Sequence, residues 1–213
     1  MSVFPENFKP ALIIDPDEFK KKILNYNPAQ AEEFHKQSVK MANKAFEDGI
    51  KSGNYDSVIF MCGGSASGKT EYINTQLLNQ NVIIVDSTLS SIESITIKLQ
   101  KVKNKIKIMI IFIRPANLLS CFTIFLNRKR QFHYSHFVRT HSGARHVFLH
   151  ILENFNTVEC KYIISDLNPT NDSLLENKMS FSEVNLTRQE MIQAILNIQI
   201  SEEEINNIII PFI

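Results

Sequence analysis

Three hydrophobic runs that alternate with helical patterns predict an α/β fold, in which a parallel sheet carries helices on both faces. The runs are SVIFMC (57–62), NVIIVD (81–86) and IKIMIIFIRP (106–115). Each is nearly continuous in Val and Ile or other apolar residues, as expected of strands that are covered on both sides. A segment with helical pattern follows each run, and this alternation is typical of parallel sheets.

The stretch ALIIDPDEFKK predicts a short strand that ends in two carboxylates. Its apolar residues 11–14 lead into Asp15 and Asp17, which Pro16 separates. Two interpretations of Asp17 stay open. In the first, Asp15 caps a helix that Pro16 begins, and the charge of Asp17 favours the helix start. In the second, the strand points Asp17 at a ligand.

A long amphipathic helix is predicted next, and it completes an N-terminal part that spans residues 10–56. Asn27 can cap this helix, Pro28 suits its first position, and Gly49 to Gly53 end it. The residues that share its core-facing side are Phe34, Ser38, Met41, Ala42, Ala45 and Phe46.

Residues 57–167 are predicted to hold the core of the sheet, and residues 168–213 a C-terminal helical part. The segments KTEYINTQLLNQ, SIESITIKLQKVK and ANLLSCFTIFLNRKR follow the three strands as helices, and CKYIISDL (160–167) indicates one more strand. Near the end of the chain, two capping boxes each begin an amphipathic helix; they are Thr187 with Glu190 and Ser201 with Glu204. No linker divides the chain, so we expect one domain over residues 1–213.

The overall composition argues against several classes of protein. The formal net charge is +1, and no apolar run approaches the ~20 residues of a membrane-spanning helix. The first residues lack the basic start and apolar core of a signal peptide. Cys62, Cys121 and Cys160 lie far apart and are odd in number, which favours reduced thiols. We therefore expect a soluble, cytoplasmic protein with no membrane partner.

Basic residues are concentrated in the middle of the chain. No Asp or Glu occurs from Ser94 to Leu152. The same window contains Lys98, Lys101, Lys103, Lys105, Lys107, Arg114, Arg128, Lys129, Arg130, Arg139 and Arg145. Such a distribution indicates a surface that meets an anion, although Lys98 to Lys107 also fit a solvated basic face at a helix end and turn. The low net charge argues against nucleic acid as the main partner.

The stretch GGSASGKT satisfies the pattern G-x-x-x-x-G-K-[ST] of a phosphate-binding loop. A hydrophobic strand leads into it and a helical pattern leads out of it, as this motif requires. Glycines let successive backbone N–H groups approach phosphate oxygens. Lys69 would reach the β- and γ-phosphates, and the Thr70 hydroxyl would ligate Mg²⁺. The pattern predicts a P-loop NTPase that binds ATP and Mg²⁺ through Gly63, Gly64, Ser65, Ala66, Ser67, Gly68, Lys69 and Thr70.

The remaining sequence favours a small kinase among the P-loop proteins. The N-K-x-D and D-x-x-G motifs of switch GTPases do not occur in it. A kinase needs a carboxylate that takes the proton of the acceptor hydroxyl. Asp86 ends the strand after the loop and should face the ligand crevice, although aspartate is also a favoured helix cap. Asp17 and Asp86 are both candidate bases, and the residues alone do not decide between them.

Four arginines follow the third strand, where many small kinases carry a mobile lid. These are Arg128, Arg130, Arg139 and Arg145. Their planar, permanently charged groups suit phosphate oxygens, so we expect at least two of them to bind the nucleotide. The histidines of the same segment match the spacing of no common zinc site, and a polar helix surface is the simpler interpretation.

Several segments together resemble the zeta-toxin family of P-loop kinases. They are GGSASGKT, DPDEFKK, FHKQSVKMANKAFEDGIKSG, VIIVDST and FVRTHSGARHVFLHIL, within about residues 11–167. The resemblance implies that Asp17 is the base, that His35 and Ser38 lie near the acceptor, and that Asp86 contacts the substrate. It further implies γ-phosphate ligands at Arg139 and at Arg130 or Arg145, a UDP-amino-sugar acceptor such as UDP-N-acetylglucosamine, and a protein antitoxin as partner.

The chain departs from the family pattern in the order of its elements. In the family the D-x-D segment follows the phosphate loop, whereas here it precedes the loop by about fifty residues. The resemblance therefore implies a rearranged strand order, which right-handed crossovers would permit. The leading interpretation is an ATP- and Mg²⁺-dependent phosphotransferase that acts on a hydroxyl of a small or nucleotide-linked acceptor. The alternatives are a nucleotide or polynucleotide kinase and an ATP-binding regulator or interaction protein without transfer activity.

Overall fold

A computed structural model describes residues 10–78, 80–102, 106–128, 132–168 and 178–212, with the backbone alone at residues 167, 168 and 178. Six strands in these ranges form one sheet of order β1-β3-β2-β4-β5-β6. They are β1 Leu12–Ile14, β2 Ser57–Cys62, β3 Val82–Val85, β4 Lys107–Pro115, β5 Glu159–Asn168 and β6 Lys178–Glu183. Strands β1 to β5 are parallel, and β6 pairs antiparallel with β5. The prediction of an α/β protein with a mainly parallel sheet is confirmed.

Eight α-helices lie in the described ranges. They are α1 Pro16–Lys20, α2 His35–Ser52, α3 Lys69–Tyr72, α4 Ile92–Lys101, α5 Leu118–Leu126, α6 Tyr134–Asn154, α7 Arg188–Leu196 and α8 Glu202–Ile209. A π-helical turn, Ile73–Leu77, continues α3. Both predicted capping boxes are present, with Thr187 at the start of α7 and Ser201 at the start of α8.

The structure differs from the sequence prediction in two elements. Helix α2 begins at His35 instead of near Asn27, because the Asn27 side chain accepts from the Ala29 N–H and caps a short 3-10 turn, Pro28–Gln30. The end of α2 is as predicted, with Gly53 in the left-handed region at φ 65°. Strand β6 was not expected, because its sequence KMSFSE alternates polar and apolar residues and forms no hydrophobic run.

Strand β1 lies at the edge of the sheet, beside β3. Leu12 pairs with Ile83 and Ile14 with Val85, in parallel register. The carboxyl end of β1 therefore lies on the same side of the sheet as the carboxyl end of β2, from which the phosphate-binding loop emerges. The strand that precedes the loop in sequence thus reaches the same crevice from the side.

Helices cover both faces of the sheet, as predicted. One buried cluster joins the sheet to α2, α4, α6 and α7 and includes Phe46, Phe60, Phe112 and Phe148. A second cluster lies on the opposite face, where α3 and its π-helical turn pack on Ile59, Met61 and neighbouring strand residues. Helices α5 and α8 pack with α6 in a third cluster. None of the described helices has both the length and the apolar character needed to cross a membrane.

Candidate functional site

The glycine-rich loop between β2 and α3 has a backbone that requires glycine at its two ends. Gly63 has φ 151° and Gly68 has φ 91°. A Cβ atom on residue 63 would lie 2.5 Å from the carbonyl oxygen of Ile113, so a side chain there would collide with β4. Ala66 is held at φ 65°, a conformation that side chains rarely adopt. The loop is therefore a fixed, tightly turned backbone, as a phosphate cradle needs.

Lys69 lies across the loop that precedes it. Its amino group donates to the carbonyl oxygens of Gly63 and Gly64, both at 2.8 Å. Burial lowers the pKa of this lysine, while the charge of Asp86 opposes the shift. The ammonium group is thereby held at the position where phosphate oxygens would meet the loop.

Thr70 and Asp86 bring together two oxygen groups at the mouth of the loop. The Thr70 hydroxyl donates to Oδ2 of Asp86 at 2.8 Å. Asp86 directly follows β3, which neighbours β2, and its own N–H donates to the carbonyl oxygen of Ile14. Burial raises the pKa of Asp86, whereas Lys69 and the Thr70 hydroxyl act in the opposite direction. A carboxylate beside a hydroxyl suits a hard cation such as Mg²⁺.

A metal ion at this point would need ligands besides protein side chains. In the described parts of the chain, no three His, Cys, Asp or Glu residues are grouped so that they could hold a metal ion. Mg²⁺ is usually bound by one or two carboxylates together with water and substrate phosphates. The Thr70–Asp86 pair fits that mode of binding.

Helix α6 supports the loop through its contacts with Ser65 and Gly64. The Ser65 N–H donates to the Thr140 hydroxyl at 3.1 Å, and Nε2 of His141 lies 2.9 Å from the Ser65 carbonyl oxygen. The His141 ring packs so closely that a Cβ atom on residue 64 would lie 2.2 Å from it, which explains Gly64. Burial, chiefly, lowers the pKa of His141 to about 3, so the ring is neutral and donates through Nε2.

A cleft of about 650 Å³ opens beside the loop and contains both candidate bases. It lies between the loop, α1, α2 and the segment after β3. The charged and polar residues that matter most in its lining are Asp17, Lys20, Lys69, Thr70, Asp86 and Arg128. The charge of Asp17 also raises the pKa of Asp86, which indicates that the two carboxylates are close.

Asp17 forms an ion pair with Lys20, a residue that the sequence reasoning did not identify. Lys20 Nζ lies 3.0 Å from Oδ1 of Asp17, and the Lys20 side chain is 2% exposed against 38% for Asp17. The ammonium group also faces the ring of Phe132, 5.5 Å from its centre. The expected cap is present too, since Asp15 accepts from the Asp17 N–H at 2.7 Å. The three-residue spacing of Asp17 and Lys20 was the available signal, because it places both on one side of a helix.

The two residues expected near the acceptor have different surroundings. His35 lines the cleft, and its pKa is lowered by burial and by the charge of Lys20. The buried hydroxyl of Ser38 donates to the His35 carbonyl oxygen at 2.9 Å, within its own helix. The structure therefore places His35 at the cleft and Ser38 beneath it.

The three predicted arginines that the structure describes are not gathered in one place. Arg128 lines the cleft, and its charge contributes to the lowered pKa of Lys69. Arg139 is exposed, with Nη2 3.5 Å from Nδ1 of His136, and Arg130 falls outside the described residues. Arg145 is buried and donates to the Gln199 carbonyl oxygen. Because Arg145 follows His141 by one helical turn, it shares the buried face of α6, and we remove it from the expected nucleotide ligands.

No protein-family model matches the chain, and a search of curated proteins finds no match to it. The resemblance to the zeta-toxin family therefore stays a prediction.

Proposed function

We propose that the protein is a P-loop kinase that transfers the γ-phosphoryl group of ATP to a hydroxyl of a small or nucleotide-linked acceptor, with Mg²⁺ as cofactor. The observation that carries this proposal is the contact of Thr70 with Asp86 at 2.8 Å, beside a glycine-rich loop that Lys69 crosses. Loop, lysine, hydroxyl and carboxylate are the parts by which P-loop proteins hold a nucleotide and its metal ion.

The nucleotide end of the cleft is assigned to the loop, Lys69 and Arg128. Backbone N–H groups of the loop would bind phosphate oxygens, and the ammonium of Lys69 would reach the β- and γ-phosphates. Arg128 lines the same cleft and adds a second positive charge. These cations would stabilise the negative charge that develops on the leaving oxygen.

Thr70 and Asp86 are the residues that would hold Mg²⁺. When bound, such an ion neutralises phosphate charge and orients the phosphoryl group. Asp86 accepts a hydrogen bond from the Thr70 hydroxyl and is 7% exposed, so its carboxylate is held next to Thr70. This favours Asp86 as a metal-holding residue and leaves Asp17 as the base.

Asp17 is suited to receive the proton of the acceptor. Its side chain is 38% exposed and lines the open part of the cleft, where an acceptor hydroxyl has room to approach. The Asp17 carboxylate would accept the hydroxyl proton as the acceptor oxygen bonds to the γ-phosphorus. The bond from that phosphorus to the bridging oxygen breaks, and ADP leaves. Lys20 would act as a positioning residue, since its ion pair fixes Oδ1 of Asp17.

The resemblance to zeta toxins supplies the first acceptor to test, a UDP-amino-sugar. It also implies a protein antitoxin as partner, which a binding screen would have to find. A rearranged strand order is compatible with this reading, because β1 delivers Asp17 to the same sheet edge as the loop.

The Asp17→Asn variant tests the proposal. Wild-type protein is incubated with Mg²⁺ and γ-labelled ATP and with UDP-sugars, nucleosides or oligonucleotides, and transfer of label is followed. Asp17→Asn should lose transfer by about 100-fold or more, the usual contribution of a general base, and keep its affinity for ATP. Asp48→Asn removes an exposed carboxylate of α2 and serves as the control.

Three results would contradict parts of the proposal. Full transfer in Asp17→Asn would exclude Asp17 as the base. Transfer to oligonucleotide ends or to nucleosides alone would favour a nucleotide or polynucleotide kinase. ATP binding by the wild type without transfer to any acceptor would favour a regulatory nucleotide-binding protein.

A further inference from the structure

The cleft continues beyond the phosphate-binding loop into the space between α2 and α4. A second cavity of about 240 Å³ lies there. It shares lining residues with the main cleft, so the two form one continuous space; the shared residues are Asn43, Phe46, Ser91, Ser94 and Lys98. The phosphate-binding loop lines one part of this space, and Lys98 lines another part.

Helix α4 turns a row of polar groups toward this space. Ser91, Ser94 and Lys98 recur at three- and four-residue spacing and therefore share one side of the helix, while Ile95 and Leu99 are buried in the core. The amino group of Lys98 donates to the Ser94 hydroxyl at 2.9 Å. Each ammonium has three donors, so this contact leaves capacity for a ligand.

Lys98 has no carboxylate at ion-pair distance among the described residues. The nearby carboxylate of Glu47 on α2 is taken by Lys101, at 2.6 Å. Glu93 also lines the second cavity and places one negative charge there beside the positive charges of Lys98 and Lys101. Burial lowers the pKa of Lys98, and the charge of Lys101 lowers it further. Covering a cation without an opposite charge is unfavourable, and an anionic ligand would remove that cost.

We propose that Lys98 and Ser94, with Ser91 beside them, form a second anion site that binds a phosphate group of the acceptor. The inference rests on the proposed function and narrows it, because it selects phosphorylated acceptors over neutral sugars and nucleosides. An ammonium beside hydroxyl donors is a common way to bind phosphate. The Glu47–Lys101 ion pair joins α2 to α4 beside this cavity, which suits a small molecule better than a polymer that must pass through.

Titration with inorganic pyrophosphate, followed through backbone amide NMR signals, tests the site directly. We expect two responding groups of signals in wild-type protein, one at Gly68–Thr70 and one at Ser94–Lys98. Lys98→Met should weaken the second response by tenfold or more, the effect of removing one charged hydrogen bond, and leave the first within twofold. Lys44→Met, which removes an exposed charge from α2, should leave both within twofold.

The two groups of signals separate this inference from the proposed function. Missing shifts at Gly68–Thr70 would count against the phosphate-binding loop, whatever happens at α4. Missing shifts at Ser94–Lys98, or equal weakening by Lys98→Met and Lys44→Met, would overturn the second site. Lys98→Arg keeps the charge and should bind pyrophosphate within about threefold of wild type. This variant distinguishes loss of charge from misfolding.

The source of the phosphate is distinguished by competition. UDP should displace pyrophosphate from the Ser94–Lys98 site, and a short single-stranded oligonucleotide should not. Displacement by the oligonucleotide at lower concentration than UDP would overturn the assignment to a small acceptor.

Discussion

Charged side chains meet the phosphate-binding loop on its cleft side, whereas α6 contacts the loop through uncharged side chains. On the cleft side, Lys69 crosses the loop and Asp86 is buried with a raised pKa. On the α6 side, Thr140 and His141 satisfy the N–H and carbonyl groups of Ser65. The charged groups on the cleft side are placed to interact with a ligand. On the α6 side, the hydrogen-bonding groups of Ser65 are already paired within the protein.

Within the basic segment after β4, Thr140, His141 and Arg145 make contacts inside the protein, whereas His136 of the same helix lines the cleft. The four arginines that follow the third strand led us to expect a lid there. In the structure, α6 instead packs against the loop. Arg145 donates to the Gln199 carbonyl oxygen, and His141 is neutral because its pKa is lowered. Positive charge near the proposed phosphates comes from Lys69, Arg128 and Lys20, which line the cleft.

The largest effect is expected from Lys69→Met on the cleft side. Phosphoryl transfer should fall by about 1,000-fold, the upper range for loss of one preorganised donor. The unfolding temperature should not fall, because burial already disfavours the charged form of this lysine and lowers its pKa. Transfer assays and thermal unfolding measure the two effects. A lower unfolding temperature in Lys69→Met, with unchanged transfer activity of the folded protein, would give Lys69 a structural role instead of a role in transfer.

The α6 side should appear in the pH dependence of stability. His141 has a pKa of about 3 in the folded chain against 6.5 in the unfolded chain, so unfolding takes up a proton below pH 6.5. The free energy of unfolding should therefore fall as the pH drops from about 6.5 toward 3, with a slope of up to about 1.4 kcal/mol per unit for this residue. His136 contributes in the same direction, because its pKa is lowered to about 4.

Denaturant unfolding at several pH values compares His141→Gln with wild type. The variant should keep a donor to the Ser65 carbonyl. Its free energy of unfolding should depend less steeply on pH, because unfolding takes up one proton fewer. Asn154→Gln, at an exposed residue of the same helix that does not titrate, should retain the wild-type slope. An unchanged slope in His141→Gln would mean that the ring is not held neutral by the loop.

Lys20→Met should act on turnover. Without the ion pair at 3.0 Å, Asp17 loses its fixed orientation, and kcat should fall by about tenfold, or about 1.4 kcal/mol. The affinity for ATP should stay within twofold, and Lys20→Arg should restore most of kcat. The control is Lys22→Met, which removes an exposed charge whose amino group faces the Phe19 ring. Loss of ATP affinity in Lys20→Met would instead place Lys20 at the nucleotide.

The smallest effect is expected at Arg139, in contrast to Arg128. Arg128→Gln should slow transfer by roughly tenfold, because Arg128 lines the cleft near Lys69, and one charged hydrogen bond is worth about 1.5–3 kcal/mol. Arg139→Gln should change transfer by less than about twofold, since its side chain is exposed beside His136. The opposite ranking in the same assay would restore the sequence-based assignment of Arg139.

The sequence was most informative where a local pattern determines a local structure. Continuous Val and Ile runs predicted the buried parallel strands, and the pattern G-x-x-x-x-G-K-[ST] predicted a tightly turned loop. Both capping boxes begin helices, because each needs only two side chains three residues apart. Strand β6 escaped prediction, since its polar and apolar residues alternate and form no hydrophobic run.

Placement across the fold was harder to predict. The pairing of β1 with β3 depends on contacts far apart in sequence, so the shared cleft of Asp17 and Asp86 was only a hypothesis. Lys20 was not identified from the sequence, and in the structure it is buried beside the ring of Phe132. Arg145 looked like a phosphate ligand because charge is visible in sequence, whereas the face of a helix that meets the protein interior is set by its neighbours.

The edge position of β1 also fixes an order of events during protein synthesis. Leu12 pairs with Ile83, roughly 70 residues later, so the segment that carries Asp17 leaves the ribosome long before its partner strand exists. Asp86 directly follows that partner strand. A nascent chain in which Asp17 and the loop have emerged still lacks β3, the strand that pairs with β1. It also lacks Asp86, which follows β3. Under the proposed function, the candidate base and the candidate metal-holding residue can come together only after β3 has emerged.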